Sequence, residues 1–280
     1  MILAAQILCV VGPFSLGASP IAALAQAAAP GEPKSAPEMR ANCPAFVASR
    51  RNAIPVAGGY GLAADEVRIT YAGHSTFLIE SPKLVRIATD YNDYVRPPVL
   101  PDIATMNHAH ATHYTDRPDP DIKFVLRGWR PDGGPANHDL TYSDVHVRSV
   151  STNIRDWNGG TEKNGNSIFI FEVGSLCIAH LGHLHHTLTQ QQLDDIGHVD
   201  VLLVPVDGGY TLDLDGMVEV IHAIKAPLMV PMHFFSTFTL HRFLDRVRQE
   251  YDIEFAETPS FVVSKATLPS KSRFMVLPGH

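Results

Sequence analysis

The sequence predicts a layered α/β domain with two β-sheets inside and helices outside. Two observations carry this. Short alternating apolar runs follow one another between Glu66 and Val150, and from Ser167 onward apolar runs alternate with helical patterns. A third is size: 280 residues, 45% hydrophobic and 18% charged, suffice for a full core in one large domain or two small ones. That composition excludes a disordered, collagenous or coiled-coil chain, and no internal repeat is present.

The first charged residue is Glu32. The stretch before it is apolar and small, closes on Ala23-Leu24-Ala25, and predicts a signal peptide over residues 1–25, although no basic residue precedes it. Gly12-Pro13 and Ser19-Pro20 interrupt the run short of the roughly 20 residues that a membrane span needs. The mature chain is therefore expected to be periplasmic or secreted, with no stable membrane span after cleavage. Residues 26–64, with Pro30, Pro33, Pro37, Pro44 and Pro55, read as a linker. Residues 65–280 form the domain.

Val67–Tyr71, Ser75–Glu80 and Leu84–Thr89, parted by Gly73 and Pro82, read as an antiparallel meander. Further strands are expected at Ile103–Met106, Ile122–Leu126, Val145–Val150, Ser167–Glu172, Leu176–Ala179, Val199–Val204 and Leu228–Pro231. Helical patterns occupy Thr189–Asp195, Leu212–Ile224 and Thr239–Tyr251, the last with Leu240, Phe243, Leu244 and Val247 on one face. Thr152–Gly160 reads as a polar loop.

With 22 Lys+Arg against 29 Asp+Glu the formal charge is −7, which gives no footprint for a phosphate backbone and argues against a nucleic-acid partner. A small-molecule substrate is expected instead; oligomeric state has no signal. The three cysteines, Cys9, Cys43 and Cys177, lack CxxC spacing; an oxidising periplasm would allow Cys43 and Cys177 to pair, but Cys177 in its apolar run reads first as a buried free thiol. Serine-hydrolase elbows, Walker loops and GxGxxG turns are missing.

The unusual entry in the composition is 15 histidines. In Met106-Asn107-His108-Ala109-His110-Ala111-Thr112-His113, directly after a strand, His108 and His110 point the same way and a turn brings His113 beside them. Neutral imidazoles suit zinc and other borderline metals. A second window, His180-Leu181-Gly182-His183-Leu184-His185-His186, follows another strand, where Gly182 permits a tight turn and His183, His185 or His186 can face the first cluster. His233 closes a third apolar strand. Asp90, ending its strand, is placed to orient a liganded imidazole; Asp207 reads as turn chemistry.

Together with Tyr71-Ala72-Gly73-His74-Ser75-Thr76-Phe77, Val201–Val206 and Pro231-Met232-His233, these windows make the chain resemble the metallo-β-lactamase-fold hydrolases. The likeness runs from about Val67 to Phe234 and is strongest to the branch of ascorbate-6-phosphate lactonase-like, metal-dependent hydrolases. It implies a four-layer αββα sandwich, with one or two zinc ions at the strand ends between the sheets and water activated for hydrolysis. His108, His110, His113 and His233 match the family's ligand positions. Thr112 stands where the HxHxDH signature has its aspartate, Gly182-His183 replaces a Gly-Asp, and no histidine lies near Asn153–Asp156.

The expected metal ligands are therefore His108, His110, His113, His183 and His233, around Zn2+ or another divalent ion. A hydroxyl is a poor ligand and no useful base, which leaves the base to water on zinc or to Asp116. The leading expectation is an exported metal-dependent hydrolase of an ester, lactone, amide or phosphoester. The alternatives are a non-hydrolytic metal-binding protein of the same fold and redox chemistry on iron or copper.

Overall fold

The computed structural model describes residues 61–156 and 158–279. The predicted signal peptide and nearly all of the linker over 26–64 lie outside the described residues.

Val67, Ile69, Tyr71 and Gly73 turn inward along β1 (Val67–Gly73) with half-buried residues between them, the period-2 pattern of a strand with one core face. β2 (Thr76–Glu80) and β3 (Arg86–Ala88) complete the expected antiparallel meander, and β4 (Ile103–Met106) and β5 (Phe124–Arg127) add to it in parallel. β6 (Asp139–Tyr142) leads into a long hairpin of β7 (Val145–Arg155) and β8 (Thr161–Val173). Thr152–Arg155, expected in a loop, instead continues β7: Ile154 and Arg155 pair with Glu162 and Thr161. Then come β9 (Leu176–His180), α1 (Gln190–Ile196), β10 (Val201–Pro205), α2 (Leu214–Ile224), β11 (Leu228–Met232), α3 (Thr237–Val247), β12 (Asp252–Phe255), β13 (Ser260–Val263) and β14 (Arg273–Val276).

The strands form a six-stranded sheet, β13-β1-β2-β3-β4-β5, and an eight-stranded sheet, β12-β14-β11-β10-β9-β8-β7-β6. β9, β10 and β11 run parallel at the middle of the second sheet and are buried throughout, which is why their sequences are unbroken apolar runs. One core lies between the sheets, built on Ile69, Phe77 and Ile79 facing Phe169, Leu203 and Val230. Another lies under the helices, where Met217, Val220 and Ile221 of α2 and Leu240, Phe243 and Leu244 of α3 cover Ile170, Leu202 and Phe274. On the outer face of the first sheet Ala88, Ala104 and Met106 pack against Tyr91 and Ile122.

Both long helices begin on side-chain caps: Asp213 accepts from Gly216 N, and Ser236 forms a capping box with Thr239. Cys177, expected as a free thiol, is disulfide-bonded, with its partner outside the described residues. A cysteine's pairing depends on what the fold brings to it, which local apolarity does not encode.

Two sheets packed face to face bring the ends of β1, β3, β4, β9, β10 and β11 to one rim. There His233 N donates to His74 O at 2.7 Å, joining the end of β11 to the end of β1.

Candidate metal centre

The rim is built from residues that leave their strands in unusual backbone conformations. His74 (φ 53°), Asp90 (φ 43°) and His233 (φ 56°) follow β1, β3 and β11 in the left-handed region. Such strain in non-glycine residues persists only where surrounding structure enforces it, and it gathers at functional sites. Gly182 (φ 60°) turns the chain after β9. A Cβ there would lie 2.4 Å from Asn107 Nδ2 and 2.4 Å from Asn166 Oδ1, so only glycine fits.

These turns gather imidazoles. His74, His113 and His233 each offer one ring nitrogen, and the three lie within 4.8 Å of one another. His113 Nδ1 is 2.6 Å from Asp90 Oδ2 and His233 Nδ1 is 3.0 Å from Asp207 Oδ1, so both rings donate outward to a carboxylate. Their Nε2 atoms consequently face each other with lone pairs, 3.2 Å apart. Only a shared cation, a proton or a metal ion, relieves that contact. Two nitrogens about 2.0–2.1 Å from one tetrahedral zinc would stand about 3.3 Å apart, so the residues fit a divalent metal. The donor set fits as well, because imidazoles that ligate metals commonly give their other N–H to a carboxylate.

Around this trio stand His183 and His110. The His183 ring is 4.7 Å from His113 and 4.8 Å from both His233 and His110, perpendicular to each. Its backbone N donates to Asn166 Oδ1, and its Nδ1 lies 2.5 Å from His185 Nε2. Its Nε2 is buried without a partner. His110 is half-buried at the edge of the group, 6.3 Å from His113. His108 points elsewhere: it bonds Glu162 at 3.0 Å and stacks on Trp129 at 5.0 Å. Thr112 bonds His74 Nε2 at 3.1 Å, and Asp116 is exposed. His180 is fully buried and tied to Ser75 O and Gly182 N, as a structural residue.

Four of the imidazoles are held below their ordinary value. Burial, and then the neighbouring His233, hold His113 well below the ordinary imidazole value and lower His74 to about 4. Burial also depresses His183 and His110. Burial pushes Asp90 up, opposed chiefly by His180 and by the Asn107 amide. Burial would raise Asp207 too, but hydrogen bonds from His233, Thr211 and Gly209 N outweigh it and hold the carboxylate ionised. Neutral imidazoles beside the ionised Asp207 are protonation states that suit metal binding.

Of the five histidines predicted as ligands, the structure gathers His110, His113, His183 and His233 and turns His108 away. Sequence reasoning misses His74, which stands at the end of its strand as His233 does, although it lies inside the motif that carries the resemblance. It also underrates Asp207, whose turn bonds to Gly209, Tyr210 and Thr211 coexist with the bond to His233.

Two exposed aromatic rings rim the cluster. Phe235 lies 5.3 Å from His233 and 5.7 Å from His74; Tyr210 lies 5.4 Å from Phe235 and 6.2 Å from His110. Tyr210 is 62% and Phe235 57% exposed. Arg155 Nη2 donates to the carbonyls of Gly209, Tyr210 and Thr211 and fixes the loop.

A model of the β-lactamase superfamily domain matches residues 68–233. A UPF0173 metal-dependent hydrolase of Thermoplasma acidophilum is 26% identical over 198 residues, covering 64% of this chain and 87% of that protein. One from Salinibacter ruber is 26% identical over 215 residues, covering 66% and 92%. Among solved structures, a Thermotoga maritima protein assigned as a Zn-dependent hydrolase of the metallo-β-lactamase superfamily superposes with a TM-score of 0.56 at 28% identity, covering 76% of this chain and all of that one.

Proposed function

Because the chain belongs to the β-lactamase superfamily domain family, we propose that it is a metal-dependent hydrolase acting on a carbonyl ester, lactone or amide. The observation that carries this is the pair of Nε2 atoms of His113 and His233, opposed at 3.2 Å with both outer nitrogens committed to carboxylates. His74, His113 and His233 would hold the ion, with His110 at its open edge. All-imidazole donors favour zinc, which when bound supplies Lewis acidity and brings the pKa of water to about 7.

The chain's own residues do the rest. Asp90 and Asp207 fix the tautomers of His113 and His233, so that their inward nitrogens stay bare. Tyr210 and Phe235 offer the substrate an apolar shelf beside the cluster, which suits an aryl or alkyl group next to the scissile bond. The Arg155 guanidinium is engaged by three carbonyls; that favours a neutral carbonyl substrate over a phosphoester, for which a guanidinium is the usual partner.

The test is metal content per chain of protein purified without chelator, with His113→Ala and His233→Ala beside it, followed by assays on aryl and alkyl esters, lactones, amides and phosphoesters. About one zinc per chain, lost in both variants, with turnover of apolar esters or lactones, is the expected result. No metal after reconstitution of a folded protein sinks the reading. The second reading, a metal-binding protein without turnover, draws on Thr112, whose hydroxyl stands in place of a carboxylate and bonds His74; bound metal with no turnover of any substrate favours it.

Export is part of the proposal. The apolar stretch over 1–25 supports it, as does the disulfide at Cys177, a bond that is uncommon in a reducing cytosol. N-terminal sequencing of the mature protein is expected to begin at Gln26; an intact N-terminus in a cytosolic fraction overturns this part.

A further inference from the structure

We propose that His183 is a hydrogen-bond donor to the substrate rather than a metal ligand, its Nε2–H held toward the oxygen on which negative charge develops. This rests on the hydrolase reading and names a residue that acts on the substrate's oxygen.

The inference follows from a chain of hydrogen bonds whose direction is fixed at one end. The backbone N–H of Arg155 can only donate, and it donates to His185 Nδ1 at 2.5 Å. That nitrogen must therefore be bare, and neutral His185 carries its proton on Nε2. His185 Nε2 is 2.5 Å from His183 Nδ1, so it donates there and leaves His183 Nδ1 as the acceptor. A neutral His183 then has one place left for its proton, Nε2.

A protonated Nε2 has no lone pair to give a metal. For His183 to ligate through Nε2, its Nδ1 would have to donate to His185. His185 would then carry its proton on Nδ1, against the N–H of Arg155, and two donors would face each other with neither satisfied. The contrast with His113 and His233 is direct, because their outward nitrogens face carboxylates that accept, leaving Nε2 bare.

The Nε2–H is positioned as a preorganised donor. The nitrogen is buried and unpartnered, among His110, His113 and His233. The main chain that carries the ring is held by the bond from His183 N to Asn166 Oδ1 and by the turn at Gly182, and the ring itself is tied through Nδ1 to His185. The acceptor must be an oxygen carrying partial negative charge, and a carbonyl oxygen becoming tetrahedral meets that description.

The experiment reads tautomers directly. Long-range ¹H–¹⁵N NMR of histidine-labelled full-length protein is recorded metal-free and after zinc loading, with His183 assigned from the His183→Gln spectrum. Expected are a protonated Nε2 and a bare Nδ1 on His183 in both states. His183→Gln should keep the metal content of wild type while kcat on an ester falls about 10²–10³-fold with KM little changed. His185→Ala, which removes the directing ring, should let His183 populate both tautomers.

Transfer of the proton to Nδ1 on zinc loading, or loss of metal in His183→Gln, overturns the proposal. Should wild type turn over no ester, lactone or amide, the hydrolase reading fails, and with it the role assigned to the donor, whereas the tautomer spectrum still tells a donor from a ligand. If His183→Gln does not fold, His183→Asn supplies the assignment and the spectra of wild type and His185→Ala decide.

Discussion

At the scale of single residues, the rim shows how much of a site is legible in sequence. His233 announces itself by position, just after the end of an apolar strand, His113 by its place in the histidine cluster that follows another, and Asp90 by its place at the end of a third. His74 and Asp207 do not, because what defines them is contact with His233, across 159 residues of chain for His74 and 26 for Asp207, and a turn aspartate looks the same whether or not an imidazole reaches it. His108 matches the family signature yet bonds Glu162, a partner from β8 that nothing in the local motif foretells. Two predictions belong here. Asp90→Asn leaves one acceptor oxygen for two donors, Asn107 and His113, and sets an NH2 against one of them, so the His113 tautomer is no longer fixed and zinc affinity should fall about 10–100-fold in a chelator competition titration. Gly182→Ala places a Cβ 2.4 Å from two amide side chains at a positive φ, and urea unfolding of the metal-free protein should show a loss of about 1–3 kcal/mol.

At the scale of elements, the buried parallel strands and the two long helices are legible because burial on one or both faces writes a period into the sequence. Sequence reasoning misses β6, β12 and β13, short edge strands with mostly exposed or half-buried side chains that carry little pattern, and also β14, a four-residue strand inside the second sheet too short to show a period. The helix pattern over Thr239–Tyr251 overruns the observed end of α3 at Val247, because Tyr251 packs on the same core from beyond the helix. The end of α2 offers a test: Lys225 caps it in the left-handed conformation, φ 59°. Glycine takes that conformation without a Cβ penalty, so Lys225→Gly should raise stability by about 1 kcal/mol in a denaturant titration. Phe243→Ala, which empties the contact between α3 and Phe274, should cost about 3–5 kcal/mol in the same measurement.

At the scale of the whole molecule, buried neutral imidazoles make the fold sensitive to acid. His74 and His185 both sit at about 4 when folded, held down first by burial and then by His233 and Arg155 respectively, against about 6.5 when unfolded. Between those values the unfolded chain binds protons that the folded chain refuses. Stability is therefore full above about 6.5, falls as pH drops toward 4, and levels off below. The unfolding temperature of the metal-free protein should follow that course, and His185→Gln should flatten it; a flat profile in the wild type would contradict the burial of these rings.

The hydrogen bond from His233 N to His74 O joins the two sheets where the imidazoles meet. His74 and His113 leave the first sheet, and His233 leaves the second, so an ion held by all three is a rivet through both halves of the sandwich. A rivet that only the assembled sandwich can seat makes the protein its own metal gauge. Its melting point should climb with free zinc, by about 2.7 kcal/mol of stabilisation once zinc reaches a hundredfold excess over its dissociation constant, and a chelator should return it to the starting value.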